Sequence, residues 1–159
     1  MRFVFVMDPV STVLVDEDTS FALMFEAQKR GHRVDHCLVP DVALQHGKPL
    51  ATVRQATMKR DKAAPVTLGE PEEVDLNEVD AVFIRKDPPF DEPYSWLTLI
   101  LEHLRGSTLV INDPRGLRDA NEKLYACHFP ALMPKTRVDS DRHRIRAFIR
   151  EVGGQGVIK

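Results

Sequence analysis

Arg2-Phe3-Val4-Phe5-Val6-Met7-Asp8-Pro9 opens the chain with a short apolar run rich in Val and Phe, and Asp8-Pro9 closes it. A run without polar alternation marks a strand covered on both faces, the habit of parallel sheets. A loop of about ten residues leads to Asp18, which reads as the N-cap of a helix from Thr19 to Arg30 with Gly31 just past its end. Phe21, Ala22, Leu23, Met24, Phe25 and Ala27 spread around much of that helix, so it is expected to pack against a sheet. Arg33 to Val39 reads as a second strand. A β-α-β opening predicts a parallel sheet with a right-handed crossover.

Outward from this unit, Val42 to Gln45, His46-Gly47 and Leu50 to Val53 predict a hairpin laid beside the sheet. Lys59 to Glu73 mixes charges with Pro65, Gly69 and Pro71, and reads as a surface loop with at most one short strand near Val66-Thr67-Leu68. Val79 to Ile84 is another buried strand. It runs into Arg85-Lys86-Asp87-Pro88-Pro89-Phe90-Asp91, where the paired prolines forbid a helix. Asp91 caps the next helix, with Pro93 in its first turn and Leu97, Ile100, Leu101 and Leu104 along one face. Thr108 to Ile111 reads as a fourth core strand, followed by a short helical stretch through Leu124. A further strand at Thr136 to Val138 precedes a helix capped by Asp139 or Ser140, and Gly153 to Gly156 turns the chain into a terminal strand.

The predicted class is α/β: an open, mostly parallel sheet flanked by helices, with a hairpin insertion, followed by a separate strand-helix-strand unit. Residues 1–120 are expected to form one domain and 121–159 the start of another. The 159 residues suit one domain or one and a fraction. With 43% hydrophobic and 29% charged residues the chain reads as globular. A net charge of −2 speaks against nucleic-acid and membrane partners. No apolar run is long enough to span a bilayer, and the N-terminal run is too short for a signal peptide. Two cysteines are too few for a disulfide framework, so the expected compartment is the cytoplasm. Val157-Ile158-Lys159 reads as a strand in progress, and a cut chain is the expectation.

Ligands of open parallel sheets sit beyond the carboxyl ends of the strands. No glycine lies between Met7 and Phe21, which argues against a Rossmann dinucleotide site, and no phosphate-binding loop of the glycine-rich Lys-Ser/Thr type occurs. Asp18, Thr19 and Ser20 open a helix, either as plain capping or as a cradle for a carboxylate. Arg85 is either half of a surface ion pair or a bidentate partner for a substrate carboxylate, with Asp87 orienting it. In isolation Lys123 reads as a solvated helix residue and the Gly153 to Gly156 turn as a connector. The six histidines and Cys37 and Cys127 show no metal spacing. Arg137, Arg142, Arg144, Arg146 and Arg150 interleave with Ile145, Phe148 and Ile149 as in an ordinary amphipathic helix.

Taken in order, five stretches resemble the bacterial glutathione synthetase family of ATP-grasp ligases. They are Val6-Met7-Asp8-Pro9, Asp18 to Gln28, Arg85 to Asp91, Leu117-Arg118-Asp119-Ala120-Asn121-Glu122-Lys123-Leu124, and the closing Ile158-Lys159. The resemblance implies a substrate-binding domain preceding an ATP-grasp domain, and a reaction joining γ-glutamylcysteine to glycine with ATP and Mg²⁺ (or Mn²⁺) through an acyl phosphate. It implies that Lys123 and Lys159 contact ATP. It implies that Asp18, Thr19, Ser20, Arg85 and Asp87 face the peptide substrate. The family's pattern continues into a glycine-rich loop and a second subdomain carrying the metal ligands, so this chain alone is predicted to be inactive. A homotetramer is the assembly the resemblance implies. A stand-alone, non-catalytic peptide- or carboxylate-binding domain, and another ATP-grasp peptide ligase, are the other readings of the same loops.

Overall fold

A computed structural model describes residues 1–120 and 124–158. The chain divides into two compact units, Met1–Asp119 and Ala120–Lys159, and each is taken by itself.

In the first unit the opening apolar run is β1 (Arg2–Met7), followed by α1 (Thr19–Lys29) and β2 (Arg33–Cys37). Next come β3 (Val42–Gln45), β4 (Lys48–Met58) and β5 (Val66–Asp75). The unit closes with β6 (Ala81–Arg85), α2 (Glu92–Leu101), β7 (Leu109–Ile111) and α3 (Pro114–Asp119). Among the described residues the strands form one seven-stranded sheet. β1 pairs in parallel with β2 and β6, and β6 with β7. The α/β class stands, but the sheet is mixed rather than mostly parallel, because β4 pairs antiparallel with β2, β3 and β5. A two-residue turn reverses the chain between β3 and β4, with His46 at φ 50° and Gly47 at φ 80°, so β4 enters the sheet in the opposite sense.

Where a loop with at most one short strand near Val66-Thr67-Leu68 was expected over Lys59 to Glu73, the structure has the ten-residue strand β5, paired along β4 from Val66 opposite Met58 to Asp75 opposite Leu50. A register shift between Arg54 and Ala56 bends the ladder. β5 has a partner on one edge only, so Pro71 interrupts no second ladder, and Glu70, Glu72 and Glu73 face solvent. Charge and proline here mark an exposed edge. At the other end of β4, the Gln28 amide of α1 donates to the Met58 carbonyl (3.0 Å) and accepts from the Met58 N–H (2.8 Å).

The core lies on both faces of β1 and β6. Val4, Val6, Val82 and Ile84 pack with Leu97, Leu101 and Leu104 on the α2 side. Phe5 and Met7 pack with Phe21, Met24 and Ala27 on the α1 side, and Phe5 stacks on Phe83 at 4.5 Å. Successive residues of β1 thus serve opposite layers, which is why its sequence shows no polar alternation.

In the second unit the helix is α4 (Arg142–Glu151), capped by Asp141, which accepts from the His143 and Arg144 N–H groups. Asp139, expected as a cap, instead accepts from the Arg137 and Arg144 guanidinium groups, and these bonds hold its carboxyl far below the ordinary range. Among the described residues of this unit there is no strand at Thr136–Val138 or over 155–158, where strands were expected. A strand exists by pairing, and no described segment of the unit supplies the ladder for either. The expected lysines, Lys123 and Lys159, lie outside the described residues.

Candidate functional site

Parallel pairing brings the carboxyl ends of β1 and β6 level, with Met7 opposite Arg85. The residues that leave the sheet there are Asp8 and Lys86. The Asp8 carboxylate accepts the Asp87 N–H (3.0 Å) and lies 3.1 Å from the Lys86 ammonium. Lys86 also donates to the Asp87 carbonyl (2.6 Å). On its backbone, the Asp8 carbonyl lies 3.2 Å from Nε2 of His36, a β2 residue only 4% exposed. A carbonyl can only accept, so Nε2 carries the proton, and burial pushes the ring's pKa below its ordinary value.

The start of α1 meets this edge. One Asp18 oxygen accepts the backbone N–H groups of Ser20 (2.6 Å) and Phe21 (3.1 Å), so Asp18 is a working helix cap. That turn holds two hydroxyls under Arg85. Its Nε donates to Ser20 Oγ (2.9 Å) and Nη2 to Thr19 Oγ1 (2.7 Å). Ser20 is buried at 5% exposure, so one edge of the guanidinium is fixed by the fold. Its Nη1 has no partner among the described residues. The structure therefore brings Asp18, Thr19, Ser20 and Arg85 together.

Asp87 behaves differently. It was expected to orient Arg85, but the two hydroxyls do so, and the exposed Asp87 carboxylate has no partner among the described residues. Its backbone is committed instead to Asp8 and Lys86, and the following Pro88 holds it extended.

Three nearby residues escaped the sequence reading. Asp8 and Lys86 are visible only once β1 and β6 are known to be neighbours. Tyr94 lies in the first turn of α2, whose cap Asp91 accepts its N–H, and it packs on Phe90 at 4.7 Å. Burial raises its phenol pKa, Arg85 opposes that, and Asp87 and Asp8 reinforce it. An open depression of about 280 Å³ adjoins Thr19, walled by Asp16, Glu17, Ala22 and Arg60. Among the described residues there is no group of three or more His, Cys, Asp or Glu side chains that could hold a metal ion. Cys37 is a buried thiol whose pKa burial pushes well up, and Cys127 is an exposed one. No helix among the described residues is long and apolar enough to cross a membrane.

The edge so built lies within residues 1–118, which match the family model described as prokaryotic glutathione synthetase, N-terminal domain. The chain belongs to this family. It is 42% identical over 147 residues to a glutathione synthetase of Mesorhizobium japonicum, covering 92% of this chain and 47% of that relative. It is 40% identical to that of Vibrio parahaemolyticus over 155 residues, covering 97% and 49%. It is 40% identical to that of Xanthomonas axonopodis pv. citri over 157 residues, covering 98% and 49%. The chain spans about half the length of these curated relatives. Within the prokaryotic glutathione synthetase N-terminal domain, the match takes in Asp8, Thr19, Ser20, Arg85 and Tyr94, and it stops short of Lys123 and Lys159.

Proposed function

We propose that this chain is the peptide-holding N-terminal part of a cytoplasmic, ATP-dependent glutathione synthetase, and that Arg85 binds a carboxylate of γ-glutamylcysteine. The observation that carries the reading is the Arg85 guanidinium, pinned on one edge by the Thr19 and Ser20 hydroxyls, with Nη1 left without a partner among the described residues. A planar cation held this way is pre-oriented for a carboxylate, and little rotamer freedom is lost on binding. Asp18 serves the site through the helix start it caps, and Asp87 is taken as its exposed acidic neighbour.

In the proposed reaction the C-terminal carboxylate of γ-glutamylcysteine attacks the terminal phosphorus of ATP and releases ADP. The amine of glycine then attacks the acyl carbon and expels phosphate, giving glutathione. Lys123 and Lys159 are the proposed ATP contacts, on the family resemblance alone. Mg²⁺ or Mn²⁺ is the proposed metal of the whole enzyme, and a homotetramer its proposed assembly. The 159 residues by themselves are expected to bind peptide and to make no glutathione.

Calorimetric titration of the chain with γ-glutamylcysteine tests the binding reading. Millimolar or tighter binding is expected, weakened about tenfold or more in Arg85→Ala, since a hydrogen bond to a charged partner contributes about 1.5–3 kcal/mol. No heat from the unsubstituted chain would sink the reading. Adding ATP, Mg²⁺ and glycine and assaying for glutathione tests the second part, and turnover near that of a full-length synthetase would overturn it. Binding without turnover, in a protein shown to work at this length, would favour a stand-alone binding domain.

A further inference from the structure

We propose that Asp8 is a positioning residue: it holds the backbone that carries Arg85 and neutralises the neighbouring Lys86, so that Arg85 is the cation presented to the ligand. This rests on the reading of Arg85 as a carboxylate binder.

Arg85 is the last residue of β6, and its position depends on the chain just beyond it. That chain is closed into a ring. Asp8 takes the Asp87 N–H, Lys86 reaches from Asp8 to the Asp87 carbonyl, and the two ends meet across adjacent parallel strands. Asp8 is itself fixed from behind, because its carbonyl receives the buried His36 N–H. The Lys86 and Asp8 side chains are 20% and 29% exposed, so their attraction is only partly screened. Lys86 therefore spends its charge inside the ring, while Nη1 of Arg85 has no partner among the described residues. Two consecutive cations stand at the end of β6, yet Lys86 is committed to the ring and Arg85 is not. Asp8 acts through Arg85, and a small displacement of a gripping group costs much of its effect.

The test is a double-substitution cycle on the 159-residue chain, read by γ-glutamylcysteine titration. Asp8→Ala is expected to weaken binding about tenfold in the unsubstituted background and less than about twofold in Arg85→Lys, which retains a weaker cation. Asp8→Asn keeps an acceptor for the Asp87 N–H and is expected to lose about threefold or less. Amide exchange supplies a readout without ligand: the Asp87 amide should exchange faster in Asp8→Ala while the Val82 amide is unchanged, which also shows that the fold persists. Unchanged affinity in Asp8→Ala, an equal loss in the Arg85→Lys background, or equal losses in Asp8→Asn and Asp8→Ala would overturn the positioning role. If the unsubstituted chain binds no peptide, the carboxylate reading of Arg85 falls and this inference with it. If binding depends on Arg85 but not on Asp8, only this inference falls.

Discussion

Ser20 receives the Arg85 guanidinium on its hydroxyl while its own N–H is held by Asp18, so a single residue joins a helix cap to the cation that ends β6. The capping reading of Asp18 stands, and the turn it closes presents the Thr19 and Ser20 hydroxyls to Arg85. The cap was legible, because capping residues are a local signal. The pairing of Asp8 with Lys86 was not legible, because the two strand ends that meet there lie 78 residues apart in sequence. His36 adds a consequence at this scale. Its folded pKa lies below the ordinary 6.5 because protonation would place charge on a buried ring. Below pH 6.5 the unfolded chain takes up the proton first, so stability should fall as pH drops from 6.5 toward the folded value. Urea unfolding between about pH 7 and pH 5 checks this, with a shallower decline expected in His36→Gln, which can still donate to the Asp8 carbonyl. Equal slopes would show that the ring does not carry the effect.

Among the elements, the parallel strands were readable and the outer antiparallel ribbon only half so. β1 and β6 announce themselves by apolar runs that must satisfy two layers at once. β5 hides, since half of an edge strand faces water and its Glu70, Pro71, Glu72 and Glu73 carry the composition of a loop. The hairpin turn was legible because Gly47 follows His46 between alternating strands, and both residues adopt positive φ. An L-residue in that region costs roughly 1–2 kcal/mol. Gly47→Ala is therefore expected to lower unfolding free energy by about that much in urea denaturation, while a change below about 0.3 kcal/mol would mean the turn relaxes without strain. Beyond Gly47 and its two chain neighbours no heavy atom lies within 4 Å of the added methyl position, so the effect would be conformational rather than steric.

At the scale of the whole molecule, every buried hydrophobic side chain among the described residues falls between Val4 and Leu104. The first unit thus contains its own two-layer core. A chain ending at Asp119 is expected to melt cooperatively within a few degrees of the 159-residue chain, monitored by circular dichroism, and a loss of the transition would show that the core is not self-sufficient. The α/β class was legible at this scale because helix and strand signals alternate. Among the described residues the strands expected at Thr136–Val138 and over 155–158 were not realised, because a β-prone stretch needs a neighbour that local sequence does not name.

Gln28 shows how such a neighbour can be replaced. Its carboxamide is a peptide group carried on a side chain, and it offers Met58 the same donor and acceptor pair that a flanking strand would. A helix therefore completes the last rung of β4. The bond also acts as a ratchet stop: a one-residue slip of β4 would turn Met58 from the core to water and present the amide with a different rung. The ribbon's register is thereby counted from the helix that also carries Thr19 and Ser20, so the outermost strands and the hydroxyls that hold Arg85 share one ruler.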